Sequence, residues 1–276
     1  GPKKYLLLLE KFGDAKNAWM ASEKDLLKVL GKTFGPRFIS FRKSFDFIAK
    51  QKELEKANAW FVDFQSNDYP LLLKEIPNPP IVLYGLGDKS LLTSQDRKYI
   101  GVVGTRRISS YGIDVTEMMV GGLTDNGYCI VSGLAMGVDA CAHASALKNN
   151  GRTIAVLGCG VDVCYPRENQ RLCERIKNEG STIVSEYPLG LTPQVGTFPV
   201  RNRIIAGISA SVLVTQGAHK SGSLITAANA SSFGRPVFAV PGPITSSLSQ
   251  GSNELLKNGA VMVSSVGDIL KELGDQ

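Results

Sequence analysis

The sequence predicts an α/β protein with a mostly parallel sheet, preceded by a small all-α domain. From residue 98 onwards, short apolar runs alternate with amphipathic stretches, the pattern of parallel strands joined by helices. Before that, apolar residues recur at helical spacing between glycine-bearing turns. The chain has 276 residues, 43% of them hydrophobic and 20% charged, which excludes a disordered or fibrous protein.

The first 58 residues predict several short helices. An apolar stripe covers residues 6–12, and Asp14 and Ser22 are suited to cap the helices that follow. The pattern stops at Gly31 and restarts shortly before Gly35. Short helices joined in this way are typical of SAM-like and helix-hairpin-helix domains, which bind proteins at least as often as DNA. A G-x-G hairpin is absent, so the sequence gives a DNA role for this domain little support.

Residues 59–95 are predicted to connect the helical domain to the rest and to pack on the core. Strands are expected at 59–62 and 81–85, whereas the prolines within 76–80 exclude regular structure. The α/β domain then covers 96–276. Its predicted strands are 100–103, 129–131, 153–157, 182–184, 211–214, 236–240 and 261–263, and its predicted helices are 115–126, 138–149, 169–178, 223–233 and 254–257.

Charge is unevenly placed along the chain. The net charge is +6, and the stretch from Tyr187 to Asn253 contains no Asp or Glu. Its four basic side chains are Arg201, Arg203, Lys220 and Arg235. We therefore expect an anion-binding surface in this stretch.

The cysteine and hydropathy patterns exclude several classes of protein. Five cysteines, no C-x-x-C spacing and two histidines argue against a disulfide framework and against a metal site, so buried free thiols are expected. No run of about 18 apolar residues and no secretory signal is present. We expect a cytoplasmic protein without a membrane-inserted segment.

Polar and glycine residues follow the predicted strand ends, where ligands bind in α/β folds. Gly104, Thr105 and Arg106 offer close backbone approach, a hydroxyl and a forked phosphate donor. Ser132 and Gly133 begin a glycine-flanked turn, which is either a nest of amides for an anion or a compact turn. In the following helix Asp139 and His143 lie four positions apart, a spacing that more often gives a structural pair than a general base.

Two later segments are richer in phosphate-binding side chains. Phe198 precedes Arg201, Asn202 and Arg203 near a helix start that Pro199 favours, so the arginines would bind phosphate and the ring would stack on a base. Four residues at the next helix start form a predicted phosphate site: Lys220, Ser221, Gly222 and Ser223.

Several enzyme classes are disfavoured by what the motifs lack. Gly158 and Gly160 begin a dinucleotide-like motif, but Val163 occupies the third glycine position and no acidic residue closes the following strand. There is no P-loop, carboxylate pair, metal-ligand set or hydroxyl–His–acid arrangement. The sequence therefore favours binding over catalysis and predicts no cofactor.

Six concordant motifs, in order and spacing over roughly residues 60–265, resemble those of the DprA/Smf family. They are VGTR at 103–106, SGLAMGVD at 132–139, LGCGVD at 157–162 with YPREN at 165–169, SEYPLG at 185–190, FPVRNRIIAG at 198–207 and SGSLITA at 221–227. The helical domain resembles the variable N-terminal domain of many members.

The resemblance implies an extended Rossmann-like fold that binds single-stranded DNA. It also implies protection of incoming strands in natural transformation, loading of a RecA-type recombinase, and a homodimer formed through this domain. The basic and aromatic residues of the family motifs map to Arg106, Arg167, Phe198, Arg201, Arg203 and Lys220. One departure is Gln216, where the family pattern leads us to expect an acidic residue.

Two other interpretations remain open from the sequence. A nucleotide-binding, phosphoribohydrolase-like enzyme of a related fold would use the same phosphate-binding turns, although its P-G-G-x-G-T signature is absent and residues 241–243 fail at the third position. An adaptor that recruits partners through residues 1–58 is the other.

Overall fold

The computed structural model describes residues 2–93 and 98–275. The expected boundary at residues 95 and 96 lies outside the described residues. Four helices precede the first strand, in the region predicted as the helical domain: α1 (Pro2–Phe12), α2 (Ala15–Met20), α3 (Glu23–Ser44) and α4 (Phe47–Lys56). The predicted caps are confirmed, because Asp14 accepts a hydrogen bond from the Asn17 amide and Ser22 accepts one from the Asp25 amide.

The helical domain has a small core of its own, made of Leu8, Ala18, Leu26, Leu30 and Ile39. Helix α3 is kinked at Gly31, whose φ of +75° is the left-handed conformation that glycine tolerates. The sequence pattern that stops and restarts around this residue therefore belongs to one bent helix.

A nine-stranded sheet organises the rest of the described chain, in the order β1-β2-β6-β5-β4-β3-β7-β8-β9. The strands are β1 (Trp60–Asp63), β2 (Val82–Gly87), β3 (Lys98–Val103), β4 (Tyr128–Ser132), β5 (Thr153–Leu157), β6 (Thr182–Ser185), β7 (Ser211–Val214), β8 (Val237–Ala239) and β9 (Val261–Met262). The β1–β2 and β2–β6 pairs are antiparallel and the others are parallel. The predicted α/β class is confirmed, and the segment 59–95 contributes β1 and β2 to the same sheet.

Nine further helices accompany the sheet in the described part of the chain. They are α5 (Leu71–Lys74), α6 (Ser90–Thr93), α7 (Ser110–Asp125), α8 (Val138–Lys148), α9 (Gln170–Asn178, preceded by a 3₁₀ turn at Arg167–Asn169), α10 (Thr197–Ile208), α11 (Gly222–Ser232), α12 (Gln250–Lys257) and α13 (Val266–Leu273). The strand pattern did not predict α13, although Ser265 and Asp268 form a capping box at its start. Every residue of β4, β5, β6 and β7 is buried, as expected for strands covered on both faces.

The order of strands reverses at β3. The chain runs from β3 through β4, β5 and β6 to one side, and β7 then returns to pair with β3 on its other side. In doubly wound sheets, such a reversal opens a crevice beyond the carboxyl ends of the two central strands. The fold therefore places a candidate site beyond β3 and β7.

One cysteine expectation is wrong. Cys164 and Cys173 form a disulfide, with Cα atoms 6.6 Å apart, while Cys129, Cys141 and Cys159 are free. Cys164 lies in the loop after β5 and Cys173 on the buried side of α9, which folds back against that loop. An odd number of cysteines excludes complete pairing but not a single bond.

No helix within residues 2–93 and 98–275 combines the length and apolar character needed to cross a bilayer.

Candidate functional site

A cavity of about 540 Å³ opens beyond the carboxyl ends of β3 and β7, at the reversal of strand order. Nine of the predicted site residues line it: Gly104, Thr105, Arg106, Phe198, Arg201, Asn202, Ser221, Gly222 and Ser223. Five others lie outside its lining: Ser132, Gly133, Arg167, Arg203 and Lys220. Tertiary structure therefore brings together predicted residues from three separate segments, 104–106, 198–202 and 221–223.

The turn after β3 is tied to the turn after β7. The amide of Thr105 donates to the Gln216 carbonyl over 2.8 Å. A Cβ on Gly104 would collide with that same carbonyl, so the glycine lets the two turns meet. Gly104 therefore has a packing role, and it also lines the cavity where close approach of a ligand is predicted.

Gln216 caps helix α7 from the end of β7. Its Oε1 accepts from the Ser109 amide over 3.0 Å, and its Nε2 donates to the Ser109 hydroxyl over 2.7 Å. The side chain is buried. A neutral amide supplies both an acceptor and a donor here, whereas the ionised acidic residue expected from the resemblance would only accept.

The backbone amides after β4, which were expected to bind the anion of a ligand, bind a carboxylate of the protein itself. The Asp139 carboxylate accepts from the amides of Gly133 (3.1 Å) and Ala135 (3.4 Å). The Ser132 hydroxyl is buried and donates to the Val102 carbonyl over 2.6 Å. Ser132 and Gly133 therefore make internal contacts, and neither lines the cavity.

Arg201 lies at the inner end of the cavity and is only 4% exposed. One guanidinium nitrogen donates to the Val156 carbonyl, and the group packs where a Cβ on Gly133 would stand. Burial lowers the pKa of Arg201 and raises that of Asp139, and the attraction between the two charges opposes both shifts. This arginine is a buried cation and is not free to follow a phosphate at the surface.

Two other basic residues of the acid-free stretch are also used internally. Arg203 makes two hydrogen bonds to the Glu186 carboxylate, at 2.8 and 2.7 Å, and a third to the Asn78 carbonyl. Arg235 is buried and donates to backbone carbonyls at the end of α10. The expected anion-binding surface therefore loses Arg203 and Arg235, and Lys220 is the exposed cation that remains of the four.

The rim of the cavity is aromatic and cationic. The Arg106 guanidinium lies 6.0 Å from the centroid of the Phe198 ring, and the Phe198 and Tyr165 rings lie 5.4 Å apart. Tyr165 is 44% exposed and was not predicted as a site residue. The sequence feature that could have identified Tyr165 is an aromatic residue directly before the proline in the loop after β5. Arg167 follows it, exposed, in the 3₁₀ turn.

The starts of α10 and α11 face the cavity together. The Asn202 side chain donates to the Gly222 carbonyl over 3.1 Å and thereby joins the two helices. Ser221 caps α11 by accepting from the Ser223 amide. Lys220, with φ of +58°, immediately precedes this cap. Helix starts carry partial positive charge, so both favour an anion in the space between them.

The expected pairing of Asp139 with His143 is wrong. His143 is fully buried, and its Nδ1 lies 2.6 Å from the Thr153 hydroxyl, whereas Asp139 binds the amide nest. Separate partners remove the arrangement that a general base would need. Among the described residues, no group of three or more His, Cys, Asp or Glu could hold a metal ion. The geometry favours binding of an anion beside a stacked ring.

Comparison with known proteins gives consistent matches. The family model described as DNA recombination-mediator protein A matches residues 60–274. The chain is 43% identical to Protein Smf of Synechocystis sp., covering 99% of this chain and 69% of that protein. It is 44% identical to DNA processing protein DprA of Bacillus subtilis, covering 78% and 71% respectively.

Solved structures show the same fold. The X-ray structure of DNA processing protein A from Streptococcus pneumoniae has a TM-score of 0.88 at 37% identity, and covers 99% of this chain and 93% of that one. DNA processing protein A from Helicobacter pylori, solved for its unique single-stranded DNA binding mode, has a TM-score of 0.70 at 32% identity. That match covers 78% of this chain and 95% of the other.

Proposed function

Because this chain belongs to the family of DNA recombination-mediator protein A, we propose that it binds single-stranded DNA at the cavity beyond β3 and β7. One observation carries the proposal: the rim formed by Arg106, Phe198 and Tyr165 stands over a cavity that two helix starts face. Aromatic faces and a cation beside an anion site suit a single strand, whose bases are free to stack.

Each part of the site has a separate task in this proposal. A phosphate lies at the start of α11, where the amides, Ser221 and Lys220 supply donors and positive charge. A base stacks on Phe198 and Tyr165, and Arg106 contacts the neighbouring phosphate. Arg201 offsets the charge of the Asp139 carboxylate, which also lines the cavity, and Arg203 positions α10 through Glu186. Arg167 contacts the strand where it leaves the rim.

Binding of this kind is independent of sequence. Contacts to phosphate carry no base information, and stacking tolerates every base. The single strand is preferred over the duplex because paired bases do not expose their faces to Phe198.

The wider role that we propose is protection of incoming DNA in natural transformation and handover of the strand to a RecA-type recombinase, by a homodimer in the cytoplasm and without catalysis. Support comes from the family and from relatives named DNA processing protein. Two measurements test it: the molar mass in solution, and the rate at which recombinase filaments form on a strand already covered by a single-strand binding protein. A monomer, or an unchanged rate, would contradict the corresponding part.

The binding proposal is tested by fluorescence anisotropy with a labelled single-stranded oligonucleotide at several salt concentrations. Arg106→Ala and Lys220→Ala should each weaken binding to all sequences alike and reduce the salt slope by about 0.7. Phe198→Ala should lose roughly fivefold or more on the single strand and little on duplex. Arg171→Ala, exposed on α9 away from the cavity lining, is the charge-matched control. Unchanged affinity in all three site variants would refute the site.

A further inference from the structure

The positive charge of this protein is concentrated in the helical domain. Residues 1–58 hold 13 basic and 7 acidic side chains, whereas residues 59–276 hold 18 of each. The whole net charge of +6 therefore lies in about a fifth of the chain. A charge of this size and sign attracts a polyanion and does not follow from the needs of a small helical core.

The same domain exposes aromatic rings. Phe34, Phe41 and Phe47 are 46%, 52% and 59% exposed. Trp19 lies beneath part of this surface, with ring centroids 6.3 Å from Phe41 and 5.0 Å from Phe47. Exposed rings on one small domain form a patch that water solvates poorly, and such patches mark binding surfaces.

Cations and rings are interleaved on α3. Phe34, Arg37 and Phe41 are three and four residues apart, so they lie along one face of the helix. The Lys4 ammonium from α1 lies over the Phe34 ring. The ion pairs of this domain engage Lys28, Lys43 and Lys50, and within the described chain Arg37 has no carboxylate partner.

We propose that this surface, defined by Lys4, Phe34, Arg37, Phe41 and Phe47, is a second contact site for single-stranded DNA. The inference rests on the proposed function, because the strand is the same ligand that the cavity takes. Charge complementarity selects it: alternating rings and cations match the alternating bases and phosphates of a single strand. A protein partner would pack against the rings, but its binding would not require the net positive charge of the domain.

The test measures single-strand affinity of the full-length chain carrying both Arg37→Glu and Phe41→Ser. These side chains are exposed, so the fold should be retained, which circular dichroism checks. We expect affinity to fall roughly fivefold or more and the salt slope to decrease by about 0.7. The control carries Phe61→Ser and Lys271→Glu, which change the charge equally and replace a ring that is also 52% exposed, on β1. Control affinity should stay within about twofold of the unchanged protein.

A second measurement uses the unaltered protein. A single strand containing 5-iodouracil is photo-crosslinked, and the crosslinked peptides are identified by mass spectrometry. Crosslinks to peptides that contain Phe34, Phe41 or Phe47 are expected alongside those to Phe198 and Tyr165.

The outcomes separate this inference from the proposed function. Loss of affinity in Arg106→Ala, with none in the α3 double variant and no crosslinks to the helical domain, overturns the second site alone. Loss only in the double variant overturns the cavity and supports the helical surface. Absence of any single-strand binding by the unaltered protein overturns both.

Discussion

Arg201, Arg203 and Arg235 carry the same guanidinium group and have three different roles. Arg201 is a buried cation near Asp139, Arg203 is held by the Glu186 carboxylate, and Arg235 satisfies backbone carbonyls at a helix end. For Arg203 and Arg235 the fork of donors is matched by acceptors brought from elsewhere in the chain. Arg201 donates to the Val156 carbonyl, and its Nε has no hydrogen-bond partner among the described residues. The role of an arginine therefore depends on the acceptors around it.

His143 is a second residue whose surroundings decide its chemistry. The Thr153 hydroxyl donates to the Ile130 carbonyl, so it accepts from His143, whose Nδ1 carries the hydrogen. Nε2 has no hydrogen-bond partner among the described residues. Burial, aided by the charge of Arg201, lowers the pKa of His143 from 6.5 to about 3.

We predict that His143 makes the protein sensitive to acid below neutral pH. Between pH 6.5 and 3, His143 is protonated in the unfolded chain and neutral in the folded chain. The free energy of unfolding therefore falls as the pH falls. The loss between pH 7 and pH 5 should be about 2 kcal/mol. Urea unfolding at the two pH values measures it.

The comparison for this prediction is His143→Gln, which stays neutral and should lose about 2 kcal/mol less on acidification. His219→Gln removes the other histidine, which is exposed, and should behave as the unaltered protein does. Equal acid sensitivity in the His143 variant would show that this residue is not the cause.

At the scale of elements, the site depends on turns that pack against each other. Gly133 and Gly104 leave room for the Arg201 guanidinium and the Gln216 carbonyl. Gly137, with φ of +79°, has the Thr105 carbonyl where a side chain would be. These glycines fix the distance between strand ends, and that distance sets the shape of the cavity.

Gly133→Ala should therefore be destabilising. Its new methyl group would stand where Arg201 lies, so the free energy of unfolding should fall by about 1–3 kcal/mol and single-strand affinity should fall with it. Gly121→Ala adds the same group in the interior of α7, where the surrounding contacts are ordinary, and should stabilise by roughly 0.5–1 kcal/mol. Thermal and urea unfolding measure both, and similar effects from the two variants would refute the packing argument.

At the scale of the whole molecule, the two parts differ in how much core they have. Among the residues that the structure describes, the helical domain buries five hydrophobic residues in its cluster, whereas the largest cluster on the sheet contains 22. Hydrophobic burial is the main source of stability, and small cores supply little of it. Leu54 and Ala57 of the α4 region pack on the sheet domain and tie the two parts together.

We predict that the helical domain opens before the sheet does. In native-state hydrogen exchange, amides of α1 to α3 should exchange with a lower opening free energy than those of β4, β5, β6 and β7, which are buried on both faces. Single-stranded DNA that contacts α3 should slow exchange there. Equal protection in the two parts would mean that the chain unfolds as one cooperative unit.

The sequence by itself determined the features that depend on neighbouring residues. Strand and helix alternation, the caps at Asp14 and Ser22, and the positions of Gly104 after a strand and Ser221 at a helix start are all readable within a few residues. Each follows from local geometry: the period of a strand or helix, or the reach of a capping side chain. The family motifs are local in the same sense, because each is a run of consecutive residues.

Only the tertiary structure decided which charges reach the ligand. The Asp139 carboxylate accepts from the amide nest, Glu186 forms an ion pair with Arg203, and Cys164 forms a disulfide with Cys173. Tyr165 joined the site because its loop folds against α10. These outcomes depend on which partners packing brings into contact, and a polar group that must be desolvated takes the nearest internal partner whatever its distance along the chain.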